Sequence, residues 1–230
     1  MTLSATLYWY ATSAVDYVVQ MLPCMLAAAL GWWAFSRPRQ ARLSKLDLFS
    51  PPAREKALLL FVMYVAGLVS LTFFPADYWK TILRALFTQT PLPPQKLRIF
   101  LPFPEILARI TALQDLIRPF EEIRRAFRGG AWLLFILIGN IVMFCPIGFF
   151  TALLWRGCSW YHSTACGFFF SVLIECFQLF IGRRTDIDDI ILNTLGAFLG
   201  YILFFLLEKV APTLIETFRC QRKGDHLWTK

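Results

Sequence analysis

Glu175 lies in the middle of an apolar run, and a carboxylate there costs about 3 kcal/mol to insert into a bilayer unless it meets a partner, a cavity or a substrate path. Within the same segment Ser171, Glu175 and Gln178 follow the spacing i, i+4, i+7, so they share one helical face. A few residues on, Gly182-Arg183-Arg184-Thr185-Asp186-Ile187-Asp188-Asp189 packs two arginines and three aspartates into a short turn. Asp189, Asn193, Gly196 and Gly200 then form a second stripe on the next apolar run, with Asp186 one turn ahead of it. Asn140 contributes an amide from an earlier run. A carboxylate flanked by amides has the makings of a general base with polarising groups, and the charged turn suits polar or phosphate-bearing headgroups. The same residues also have a structural use. Ser, Asn and Gln tie helices together for about 1 kcal/mol or less, and Asp186 and Asp189 fit the cap and first turn of a helix.

Other chemistry finds less support. The six cysteines form no CxxC pair, and His162 and His226 stand far apart, so neither a metal set nor a disulfide framework is expected. No nucleophile–base pair stands out, and no catalytic residue is assigned beyond Glu175 as a candidate. No cofactor is expected. The ligand-binding candidates are Asn140, Ser171, Glu175, Gln178, Arg183, Asp186, Asp189 and Asn193.

The elements that must carry these residues are membrane helices. The chain is 57% hydrophobic and only 17% charged, against about 25% charged for soluble domains, and several runs reach the roughly 20 apolar residues that cross a bilayer. The expected fold is an all-α bundle of five spans, at about 14–35, 57–74, 132–154, 160–181 and 189–207. Residues 37–56 read as a polar loop. The long connection between the second and third spans carries Tyr78, Trp79, Ile82, Leu83, Leu86 and Phe87 on one helical face, then Ile106, Ile110, Leu113, Ile117 and Phe120 at steps of three and four. Too charged to span, it is expected as amphipathic helices in the interface or as a lid on the bundle. Four regions result: 1–75 with two spans, 76–131 as the interfacial connection, 132–207 as a three-span core, and 208–230 as a basic tail.

The net charge of +8 is read as topology and lipid contact, not nucleic-acid binding. Arg37, Arg39, Arg42, Lys45, Arg54 and Lys56 in the first connection fall on the same side as Arg156 and the basic tail. That predicts the N-terminus outside and the C-terminus in the cytoplasm. At 1.5 Å per residue, Asn140, Glu175 and Asn193 then lie roughly 14, 10 and 6 Å below the outer ends of their helices.

Three sets of residues resemble the VanZ-like membrane proteins. They are Gly139-Asn140, Phe144, Pro146 and Gly148; then Ser171, Glu175 and Gln178; then Gly182-Arg183, Asp186, Asp188-Asp189, Asn193, Leu195-Gly196 and Gly200-Tyr201. Pro102-Phe103 and Ile106 resemble the family's Pro-Phe element, although Ile99 stands where the family often has an asparagine. The family is named for a protein conferring low-level teicoplanin resistance. The resemblance implies a protein of the bacterial cell envelope, in the plasma membrane, acting on a glycopeptide antibiotic or a lipid-linked wall component. The expected partners are membrane lipids and such an amphiphile. The alternatives are an intramembrane enzyme, a structural or assembly subunit, and a carrier, for which five spans without an inverted repeat are a poor fit.

Overall fold

In hydrocarbon each backbone N–H and C=O must be satisfied within its own segment, and long apolar runs therefore fold as helices. The computed structural model describes residues 3–75, 77–92, 98–112, 119–129, 131–183 and 185–222, with backbone alone for 3–14 and 131–132. Helix α1 spans Leu3–Lys45 and α2 Pro52–Phe73. Three short helices follow, α3 (Tyr78–Thr88), α4 (Phe103–Thr111) and α5 (Glu121–Arg128). The remaining long helices are α6 (Ala131–Leu154), α7 (Trp160–Ile181) and α8 (Ile187–Val210), followed by a short α9 (Pro212–Glu216). Strands β1 (Leu48–Phe49) and β2 (Gln221–Arg222) pair antiparallel. Among the described residues, α1, α2, α6, α7 and α8 are the five helices long and apolar enough to cross a membrane.

The first helix runs further than expected. It continues through Pro38 to Lys45, so half of the anticipated polar loop is helical. Proline removes only one intrahelical bond, and the residues after it are good helix formers. Arg39 holds this extension to its surroundings, with its guanidinium 4.4 Å above the Trp32 ring and ion-paired to Glu55 of α2. Of the amphipathic stretch 106–120, residues up to Thr111 lie in α4, and Phe120, just before α5, sits in the left-handed region at φ 65°. Leu113 and Ile117 lie outside the described residues.

Helix α8 wedges against both α6 and α7. Small residues set the approach: a Cβ added at Gly196 or Gly200 would collide with the carbonyl of Ile141 or Cys145, and one at Gly148 with that of Ala197. Leu68, Phe144, Ile147 and Ile174 join α2, α6 and α7 in one buried cluster. Phe135, Ile138, Val142, Phe169 and Leu203 point outward and remain exposed, as befits surfaces that meet lipid tails instead of water.

Candidate functional site

The turn between α7 and α8 is built from ordinary capping chemistry. Gly182 takes φ 77°, the left-handed conformation that ends helices, and its N–H donates to the Gln178 carbonyl. The Arg183 N–H reaches the same carbonyl at 3.1 Å. Asp186 then caps α8, its Oδ1 accepting the Asp188 N–H at 3.0 Å. Asp188 and Asp189 fill the first turn, where the helix dipole favours negative charge.

Around this turn the described charged residues hold different elements. Glu175, buried to 3% exposure, accepts the Asp186 N–H on Oε2 at 3.0 Å and so pins the turn back onto α7. Asp188 is completely buried, and its two carboxylate oxygens accept the backbone N–H groups of Phe120 and Ile123, the latter at 3.1 Å. It is a borrowed cap: α5 begins without a side-chain cap of its own, and α8 supplies one. Asp189 Oδ1 accepts from the Asn140 amide of α6. Arg183 turns away from α7, donating to the carbonyls of Leu71 and Thr72 at 2.6 and 2.9 Å and so closing the last turn of α2. The Arg183 carbonyl in turn accepts from Arg109 of α4 at 2.9 Å, and the Leu101 N–H donates to the Phe180 carbonyl at 2.9 Å. The Pro-Phe element is thus tied to the same turn, with Leu101 packed over Gly182. Arg184 lies outside the described residues.

The site residues do not share one pocket. Asn140, Asp186 and Asp189 line a cleft of about 300 Å³ between α5, α6 and α8. Glu122 of α5 adds a carboxylate to its polar edge, while Ile123, Ala126, Leu133, Ile136, Leu137 and Leu192 make the rest of its wall apolar. Glu175 sits behind this cleft, reaching it through the Asp186 backbone. Ser171 and Asn193 form a separate buried pair between α7 and α8, with Asn193 Nδ2 donating to Ser171 Oγ at 2.9 Å. Among the described residues Asn193 Oδ1 has no partner. Gln178 is half-buried at the end of α7, and Arg183 points to α2. The α8 stripe therefore splits: Asp189, Gly196 and Gly200 face α6, and Asn193 faces α7.

Asp188 and Glu122 are the residues that spacing alone does not single out. Asp188 reads as one more first-turn acid, and nothing near it in sequence reveals that its acceptors serve residues 120 and 123. Glu122 belongs to the helix whose first turn receives that cap. Among the described residues no group of His, Cys, Asp and Glu has the arrangement to hold a metal ion. The chemistry on offer is a set of carboxylate and amide acceptors beside an apolar wall, suited to an amphiphile whose polar end donates hydrogen bonds.

The family model described as VanZ/LLP1 matches residues 61–208, from the middle of α2 nearly to the end of α8. No curated protein and no solved structure matches the chain.

Proposed function

The chain belongs to the VanZ/LLP1 family, and from that premise we propose that it is a multi-pass protein of the bacterial plasma membrane that binds an amphiphile at its outer-leaflet side. The ligand class is a lipoglycopeptide of the teicoplanin kind or a lipid-linked wall precursor, and binding it contributes to resistance. The N-terminus lies outside and the C-terminus in the cytoplasm. The observation that carries this reading is the cleft walled by Asn140, Asp186, Asp189 and Glu122 on one side and by aliphatic side chains on the other. Its acceptors suit amine, hydroxyl and amide donors, and its aliphatic wall suits an acyl chain. Glu175 acts here as a positioning residue, holding the Asp186 backbone so that the carboxylates of the turn keep their places. The Ser171–Asn193 pair keeps α7 and α8 in register.

The test uses the full-length protein in nanodiscs, with labelled teicoplanin and a lipid-linked wall precursor as separate probes. Saturable binding of one probe is expected for the wild type, weakened about tenfold or more by Asp189→Asn with Asn140→Ala, since the first replaces a carboxylate acceptor with an amide donor and the second removes the amide. In cells where the wild type protects, the same pair lowers teicoplanin resistance at equal membrane levels. Absence of saturable binding of either probe to folded wild type, or undiminished binding by the variants, overturns the reading.

A further inference from the structure

Helix α5 packs Ala126 against the bundle, lines the cleft with Glu122 and Ile123, and turns an exposed face away from both. Ala126 is the residue it buries, at 4% exposure. At about 100° per residue, the next sector holds Phe127 and Phe120, which are 72% and 54% exposed. The sector after that holds Arg124 and Arg128, one turn apart and both exposed. Further round still, Arg125 is ion-paired with Glu121 at 3.3 Å and Glu122 at 2.7 Å, so its charge is already matched. Arg124 and Arg128 have no acidic partner among the described residues. They line a shallow depression of about 540 Å³ with Pro119, Glu121 and Arg125.

We propose that Arg124 and Arg128, with the exposed rings of Phe120 and Phe127 beside them, form a docking surface for the phosphate of an anionic phospholipid headgroup of the phosphatidylglycerol class. The charge is complementary, and the order of the sectors matches the depth profile of a bilayer edge. Aromatic rings settle at the boundary of the acyl region, and guanidinium forks at phosphate level bind two oxygens each. The cap from Asp188 fixes the orientation of α5, so the two guanidiniums are held ready without the lipid having to order the helix. A second basic depression, at Lys80 and Arg84, differs in kind, because Lys80 is already bound to Asp16 and Asp77. The surface makes α5 a wall of the cleft on one side and a lipid contact on the other.

The experiment measures lipid retention by the full-length protein, purified from bilayers of phosphatidylcholine mixed with phosphatidylglycerol and analysed by native mass spectrometry. The wild type is expected to retain phosphatidylglycerol preferentially. A basic side chain near an anionic surface contributes about 1 kcal/mol, so R124Q/R128Q should lower that preference about 30-fold. R124K/R128K, which keeps the charge and loses the forks, should fall between the wild type and R124Q/R128Q, and R84Q should leave the preference nearly intact. An unchanged preference in R124Q/R128Q overturns the proposal, as does an equal loss in R84Q, which would mean charge anywhere on this side suffices. Should R124Q/R128Q fail to fold, the wild type alone decides. A preference that collapses with added salt supports the surface, and one insensitive to salt removes it.

Discussion

In the turn from α7 to α8, carboxylates accept from backbone N–H groups and from an amide: Glu175 from Asp186, Asp186 from Asp188, Asp188 from Phe120 and Ile123, and Asp189 from Asn140. At the opposite end of the bundle carboxylates meet arginines instead. Arg39 pairs with Glu55, Arg156 with Glu216 at 2.5 Å, and Arg219 with Glu208 at 2.7 Å and Glu216 at 3.3 Å. The two arrangements differ in what they fix. An exposed ion pair such as Arg156–Glu216 contributes at most about 1 kcal/mol and tolerates movement. A buried carboxylate on two backbone N–H groups fixes the start of a helix in position and direction, and losing it leaves those donors unpaired. The arginine end staples α1, α2, α8 and α9 at the surface, and the β1–β2 pairing adds to that. The carboxylate end specifies geometry, and the cleft lined by Asn140, Asp186 and Asp189 lies there.

The sharpest way to break this comparison is at Asp188. Asp188→Ala removes both acceptors from the N-terminus of α5, at a cost of about 3 kcal/mol to its docking. Local opening of α5 should rise about 100-fold on that figure. Limited trypsin digestion would read it as faster cleavage after Arg124, Arg125 and Arg128, with the arginine end still protected. Asp188→Asn, which keeps one acceptor, should fall between. Cleavage of Asp188→Ala at the wild-type rate would mean that α5 is held by its apolar contacts and that the carboxylate cap is ornamental.

How far these roles were visible beforehand depends on whether a partner is near in sequence. The five spans were legible because length and apolar composition decide them. The oddity of Glu175 was legible because a carboxylate in an apolar run is costly wherever its partner lies. Ser171 and Asn193 were legible as polar positions on helical stripes, and they do meet across α7 and α8. The facing of the α8 stripe was not legible. It splits because α8 sits in the groove between two helices, so residues 189 and 193, one turn apart, touch different neighbours. Asp188 and Arg183 were legible as charges in a turn with a place in the family pattern, and their contacts were not. Their partners are the ends of α5 and α2, separated from them by more than sixty and more than a hundred residues, and no periodicity encodes that pairing. The length of α1 was hidden for the converse reason. Its polar continuation looks like a loop by composition, while the contacts of Arg39 with Trp32 and Glu55 let it continue as a helix.

A smaller effect is expected at Arg54, the buried arginine of the other end. It donates to Ser50 Oγ at 3.2 Å and to the Leu154 carbonyl at 3.4 Å, closing the last turn of α6. Both bonds are at the long end of the range, and Nε has no partner among the described residues. Arg54→Met keeps much of the packing of the aliphatic stem and loses the capping, for about 1 to 2 kcal/mol. A lower melting temperature in nanodiscs with ligand binding unchanged is the expected pattern. Loss of binding without loss of stability would show that the arginine end reaches the cleft, and the division between the ends would have to be redrawn.

The least effect is expected at Arg156 and Glu216. They are 59% and 51% exposed, so water screens the pair well despite its short distance, and Arg219 remains to hold Glu208 if Glu216 is changed. Arg156→Gln with Glu216→Gln should alter stability by no more than about 0.5 kcal/mol in either direction. A double-mutant cycle in nanodiscs measures it, with raised salt as a second axis because screening should leave even less of the coupling. A coupling above about 1 kcal/mol that survives high salt would mean this pair locates α9 as firmly as Asp188 is argued to locate α5. The contrast would then lie in burial alone, not in whether a carboxylate meets a side chain or the backbone.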